Sequence, residues 1–297
     1  MKLQDKIKWR IKLLPKIFLA LIKETQYHPW KLIFSKFISD ELFLLFLEKY
    51  GKSLVVSSSG NYLIADTGLL KVAILDRKDY YINLADQYFD LIYPYAKKRL
   101  VDSLAGEGPY EKDSVVLKYG DYVIDAGANL GIFSIFASQR VGENGMVYAF
   151  EPVEEIRDFS LRESVRLNNV LNIQIEPYAL GGADKKIRFF LDDYNIGGSS
   201  GFESRGHEEI VEQITLDKFV KENNIQKINF IKIDVEGMER NLLTGAESTI
   251  KKFKPKIAIC IYHRPDDPQI LQEMLSNFVP EYRFTKTKTK LYAWVNK

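Results

Sequence analysis

Four carboxylates and a histidine stand where short apolar runs end. Asp125 lies in Val123-Ile124-Asp125-Ala126-Gly127-Ala128-Asn129-Leu130-Gly131, and Glu151 ends the next apolar run, twenty positions after Gly131. Asp234 and Glu236 close Phe230-Ile231-Lys232-Ile233-Asp234-Val235-Glu236-Gly237, and His263 follows Ile257-Ala258-Ile259-Cys260-Ile261-Tyr262. A glycine turn after a buried strand lets a ligand approach the backbone, and a carboxylate at the next strand end accepts hydrogen bonds from two ribose hydroxyls. Residues i and i+2 of an extended segment point the same way, so Asp234 and Glu236 face one site. There they orient an acceptor or hold a divalent cation through oxygen. With no third ligand evident, no metal site is assigned. His263, whose side chain titrates near neutrality, is the candidate general base, with Asp234 orienting it or replacing it.

The glycine turn discriminates between adenosine cofactors. A dinucleotide fingerprint needs a second glycine to clear space for pyrophosphate. Here that position is Asn129, and Asp125 precedes the first glycine by two residues. A carboxylate repels a pyrophosphate and attracts the ammonium and sulfonium of S-adenosylmethionine. Each motif also has a purely structural reading: Gly127 and Gly131 shape a turn that Asp125 caps, Glu236 caps a helix, Asp234 pairs with Lys232, and His263 caps a loop.

The elements that must position these residues follow from hydrophobic periodicity. From Gly120 onward, apolar runs alternate with helical stretches, which predicts a mostly parallel sheet of βαβ units. Strands are expected at 122–126, 146–151, 173–178, 228–234, 256–261, 282–287 and 291–296, and helices at 131–140, 154–168, 238–252 and 268–278. The last two strands have too short a connection for a crossover and should pair antiparallel. Residues 185–215 carry extra strand-like pieces around Gly197-Gly198-Ser199-Ser200-Gly201. Ahead of this unit, residues 54–75 read as a small antiparallel sheet and 80–104 as helical. The expected division is therefore an extension at 1–105 and a cofactor-binding domain at 106–297.

Composition narrows the classes further. The 297 residues are 46% hydrophobic and 28% charged, a globular composition. The lone cysteine, Cys260, excludes a disulfide framework and fits a reducing compartment. Net charge is +2, yet residues 1–36 hold nine Lys or Arg against Asp5 and Glu24, a local +7 that leaves the remainder near −5. In this arm Leu3, Ile7, Ile11, Leu14, Phe18 and Leu21 share one helical face, broken at Pro15, and most lysines lie elsewhere. Such an arm suits an anionic membrane surface, the protein's own sheet or a second copy of the chain. No apolar run is long enough to cross a bilayer or to serve as a secretory core, so the expected location is the cytoplasm. The basic excess is confined to the arm, and no aromatic-basic pattern points to nucleic acid.

Several motifs in fixed order resemble one family. VIDAGANLGIFSIFAS, FEP, RLNN, QITLDKF, IKIDVEGMERNLLTGA and KPKIAICIYH are similar to FkbM-type S-adenosylmethionine-dependent methyltransferases over about residues 110–263. The resemblance implies a class I methyltransferase fold, Rossmann-like, with a seven-stranded sheet ending in an antiparallel hairpin. It implies O-methylation of a hydroxyl on a sugar, glycan, polyketide, lipid-linked or other small acceptor. It places Asp125, Gly127, Asn129 and Gly131 around the methionine part of the cofactor and Glu151 on the ribose. Asn169 and Ala179 would flank adenine, and Tyr110 would close over the site. Two other classes remain to be weighed: a nicotinamide-dependent oxidoreductase, and a non-catalytic membrane-associated binding module on the same core.

Overall fold

The computed structural model describes residues 48–49, 51–87, 109–191 and 207–296. The basic arm, His28 and the glycine-rich 197–201 segment lie outside the described residues, as does the expected boundary near residue 105.

Among the described residues, helical residues at 48–49 and 51–54 precede three antiparallel strands, β1 (Val55–Ser59), β2 (Tyr62–Asp66) and β3 (Lys71–Ile74), followed by helix α1 (Lys78–Gln87). The main unit then runs β4 (Tyr122–Ala126), α2 (Ile132–Val141) and β5 (Met146–Phe150). A helical stretch follows, α3 (Glu154–Ile156), a π turn (Arg157–Leu161) and α4 (Arg162–Leu167), leading to β6 (Ile173–Glu176). Three short strands, β7 (Ala179–Leu180), β8 (Lys185–Leu191) and β9 (His207–Ile214), form a second small sheet. Helix α5 (Leu216–Glu222), β10 (Phe230–Ile233), α6 (Glu239–Thr244), α7 (Glu247–Phe253), β11 (Lys256–Cys260), α8 (Asp267–Phe278), β12 (Arg283–Lys286) and β13 (Lys290–Trp294) complete it.

The large sheet has the order β12-β13-β11-β10-β4-β5-β6. The five adjacent strands β11, β10, β4, β5 and β6 are parallel, and β13 pairs antiparallel with both β11 and β12. This is the class I methyltransferase arrangement. Its central strands are buried on both faces: every residue of Phe230–Ile233 is buried, as expected of a strand sandwiched between helices. Chain order reverses between β4 and β10, and open α/β sheets bind ligands in the crevice at such a switch point.

Two differences from the expected elements have local causes. The helix expected over 238–252 is broken at Gly245-Ala246, because Gly245 is pressed against the backbone of Gly181. A Cβ there would lie 2.0 Å from the Gly181 oxygen. Helix α7 restarts with its first N–H groups on the Asp217 carboxylate, which accepts from Ser248 N at 3.0 Å and Thr249 N at 2.7 Å. The helix expected over 154–168 contains the π turn, which sets Leu161 against Gly131.

The described part of the N-terminal extension has no core of its own. Ala65, Val72, Ile74, Tyr80 and Leu84 belong to the same buried cluster as Val123, Ile135 and Val147. Polar contacts add to the joint: Asn168 Oδ1 accepts from Lys71 N at 3.0 Å, and Ser164 Oγ accepts from Ala73 N at 2.9 Å. No helix among the described residues is long and apolar enough to cross a membrane.

Candidate active site

The switch point is lined by neighbouring strands in register. Asp125 on β4 lies beside Lys232 on β10. The Lys232 ammonium is 3.0 Å from Asp125 Oδ1 and donates to the Gly127 carbonyl at 2.5 Å and that of Ala126 at 3.2 Å. Ser134 Oγ donates to Asp125 Oδ2 at 2.5 Å. Burial opposes the charge on Lys232, but Asp125 and Asp234 hold its pKa above the ordinary lysine value. Asp125 is fully buried and its charge is offset within the protein. It therefore shapes the turn, and the expected attraction of a cationic cofactor by a free Asp125 carboxylate is corrected.

The glycines of the turn also serve packing within the protein. Gly127, at φ 79°, lets the turn abut β10: a Cβ there would lie 2.0 Å from the Asp234 carbonyl oxygen. At Gly131, with φ 85°, a Cβ would lie 2.5 Å from Leu161 Cδ1. Both positions need the left-handed backbone that glycine adopts without strain. Asn129 shares that conformation at φ 50°.

Every backbone N–H from Gly127 to Gly131 is already used. Gly127 N and Ala128 N donate to Phe150 O at 3.2 and 2.9 Å, and Gly131 N donates to Ala128 O at 2.9 Å. Asn129 N donates to Glu151 Oε2 at 2.9 Å, and Leu130 N to Asn129 Oδ1 at 2.7 Å. Pyrophosphate recognition at a helix start depends on free N–H donors. This turn offers none, which counts against the nicotinamide reading.

Glu151 sits at the carboxyl end of β5 and is 5% exposed. Its oxygens accept from Asn129 N and, at 3.0 Å, Val153 N. One donor per oxygen leaves acceptor capacity for a diol. Burial pushes its pKa up to about 7, against the opposing pull of those two N–H groups, Lys232 and Arg157. A fixed acid with spare lone pairs, beside a turn without anion donors, fits the adenosine end of S-adenosylmethionine.

At the same edge Asp234, Glu236 and His263 come together. Asp234 Oδ2 accepts from Tyr110 OH at 2.5 Å, while Asp234 Oδ1 is buried with no hydrogen-bond partner. Burial opposes ionisation of Asp234, but Lys232, His263 and Lys290 hold its pKa below the usual carboxylate range. Glu236 stands at φ 50° in the turn after β10. His263 Nε2 lies 3.2 Å from Glu236 Oε2, and Nδ1 lies 3.0 Å from Glu239 Oε1. Burial works against the imidazolium, but these two carboxylates push the pKa of His263 up to about 11. The expected neutral base is corrected: between two carboxylates the ring holds its proton.

Tyr110 is 4% exposed, with its ring edge-on to Phe133 at 5.2 Å. The ammonium groups of Lys290 and Lys232 lie 4.4 and 5.3 Å from its ring centre. It thus covers Asp234. Ala179 opens β7 just past the end of β6, on the edge that carries Glu151. Asn169 is exposed just after α4, at the opposite edge, where Val147 N donates to Asn172 O at 2.9 Å. Its expected place beside adenine is corrected, because a helix returning antiparallel to the strands ends at their amino ends.

Sequence reasoning missed two participants, and it paired Lys232, a charge inside an otherwise apolar strand, with Asp234 rather than with Asp125. Glu239, 1% exposed, follows Glu236 by three residues and accepts from Val235 N at 3.1 Å. Asn83, whose Nδ2 donates to Asn129 Oδ1 at 2.8 Å, comes from α1 and carries no sequence signal.

Comparison with known proteins identifies the family. "Methyltransferase 1" of Beauveria bassiana is 23% identical over 172 residues, covering 51% of this chain and 66% of that protein. "Hexuronic acid methyltransferase AglP" of Haloferax volcanii is 26% identical over 167 residues, covering 56% of this chain and 66% of that protein. The chain thus spans about two thirds of the length of these relatives. The crystal structure of methyltransferase FkbM from Methylobacillus flagellatus KT aligns with a TM-score of 0.46 at 18% identity, over 86% of this chain and 60% of that one. Residues 125–284, more than half the chain, match the family model described as the methyltransferase FkbM domain. The chain therefore belongs to the FkbM methyltransferase family, whose methyl donor is S-adenosylmethionine.

Proposed function

We propose that this protein transfers a methyl group from S-adenosylmethionine to a hydroxyl of a sugar or related small acceptor. The observation that carries the reading is the division of one sheet edge into two chemically distinct parts. One is a buried acid, Glu151, beside a turn with no free N–H groups. The other is the Asp234, Glu236 and His263 cluster at the ends of the adjacent β10 and β11. The similarity to a hexuronic acid methyltransferase supports a carbohydrate acceptor.

When bound, S-adenosylmethionine supplies a methyl group on a sulfonium that becomes a neutral thioether. Glu151 holds the ribose diol, and Asn129 and Val153 keep its carboxylate in place. Tyr110 packs over Asp234 and withholds that side of the pocket from water. Asp234 and Glu236 receive the acceptor hydroxyl, and His263 positions Glu236. In-line transfer depends on such positioning more than on acid-base chemistry.

Titration calorimetry with S-adenosylhomocysteine and with NAD tests the cofactor assignment. The expected result is binding of the homocysteine derivative alone, weakened at least tenfold in Glu151→Ala with an unchanged circular dichroism spectrum. Binding of NAD without the homocysteine derivative would overturn it. Transfer of labelled methyl to hexuronic acids and neutral sugars, against hydroxyl-free analogues, tests the acceptor. Labelling of hydroxyl-free analogues would reject O-methylation.

A further inference from the structure

We propose that Asp234, Glu236 and His263 form a binding site for one hard divalent cation of the Mg²⁺ or Mn²⁺ class. One ligand atom from each residue can be chosen so that all three lie within 4.8 Å of one another. In an octahedral site with ligands about 2.1 Å from the ion, adjacent ligand atoms stand roughly 3 Å apart. His263 Nε2 and Glu236 Oε2 are 3.2 Å apart, the edge of such a polyhedron.

Two further observations point to a ligand. Asp234 Oδ1 is buried and has no hydrogen-bond partner, although the other oxygen of the same carboxylate is satisfied by Tyr110. The second ring nitrogen of His263 faces Glu239 Oε1 at 3.0 Å. Glu239 is 1% exposed and is held by Val235 N and Gly237 N at 3.1 and 3.4 Å. Metal-binding histidines characteristically direct the second nitrogen to a fixed carboxylate of this kind, which sets the ring orientation and raises its basicity. Outside the three ligands, Arg264 Nη2 donates to the Gly237 carbonyl at 2.9 Å, and Arg240 pairs with Asp266 and Asp267 at 2.5 and 2.7 Å. These contacts lock the two ligand-bearing loops together.

Two carboxylates and one imidazole suit a hard cation with open positions for water and acceptor oxygens. Its use rests on the methyl-transfer reading, whereas its binding does not. A coordinated hydroxyl becomes more acidic. Its O–H bond breaks with the proton leaving to water, the oxygen forms the new O–CH₃ bond, and the S–CH₃ bond breaks to leave the thioether.

The test is titration of the metal-free full chain with Mn²⁺ in the absence of cofactor, followed by electron paramagnetic resonance and calorimetry. The expected result is one saturable site per chain. Affinity should fall at least tenfold in Glu236→Gln and in His263→Ala, and remain unchanged in the surface control Glu247→Gln. Melting curves establish that each variant is folded. No saturable binding below millimolar Mn²⁺, or equal affinity in wild type and both ligand variants, would overturn the site. Because S-adenosylhomocysteine affinity is measured separately, loss of one result leaves the other standing.

Discussion

Glu151 joins stability to the site through a single buried carboxylate. Its pKa is about 7 in the folded chain, against an ordinary value of 4.5. The folded state thus holds a proton on Glu151 that the unfolded state has lost. The associated stability is fully present below pH 4.5, declines as pH rises, and is gone above about pH 7. A rise of that size corresponds to about 3 kcal/mol. Glu151→Gln removes this dependence, at the loss of one of the two backbone hydrogen bonds. Urea unfolding of wild type and variant between pH 4.5 and 8 should show the wild type losing stability relative to the variant as pH rises. Parallel curves would show that Glu151 does not carry the slope. Lys232 and Asp125 present the contrasting case, in which each buried charge is tolerable because the other faces it.

At the scale of elements, the motifs QITLDKF and NLLTGA turn out to serve one joint. Asp217, at the start of α5, caps α7, and Gly245, between α6 and α7, accepts from Asp217 N at 3.0 Å while lying against Gly181. This joint holds the helices behind β10 and so fixes the loop that carries Glu236 and the helix start that carries Glu239. Asp217→Ala removes the cap and should cost about 1 kcal/mol. Gly245→Ala places a methyl on a backbone oxygen and should cost about 1–3 kcal/mol, as overpacking does. Chemical denaturation of both variants checks the order. A Gly245→Ala protein as stable as wild type would show that the backbone at Gly181 yields freely.

For the molecule as a whole, the extension and the sheet behave as one folded body, since α1 contributes Asn83 to the turn that anchors Glu151. The basic arm ahead of it has a separate assignment. We propose that residues 1–36 hold the enzyme at an anionic membrane or a lipid-linked acceptor. Lysines near lipid headgroups contribute about 1 kcal/mol each at low ionic strength. Co-sedimentation with anionic liposomes at low salt should retain the full chain and lose a version lacking residues 1–36, with neutral liposomes retaining neither. Failure of the full chain to bind would assign the arm to packing or self-association, and a doubled mass in light scattering would identify the latter.

The sequence by itself determined the parallel core and its closing antiparallel hairpin, because mostly apolar runs such as Phe230–Ile233 need cover on both faces and the helices between them enforce parallel crossovers. It also placed Glu151, Asp234, Glu236 and His263 at one edge, since strand ends in such a sheet share a side. What only the tertiary structure decided was the state and partners of those groups. Asp125 reads as a free acid until register sets Lys232 beside it, and His263 reads as a base until two loops bring Glu236 and Glu239 against its nitrogens. Asn169 moved to the far edge because helix direction, and not proximity to a motif, sets which end of a strand a residue meets. Periodicity along one chain reports which face is buried. It carries no information about which charge from a distant segment shares that burial, and that pairing is what sets a protonation state.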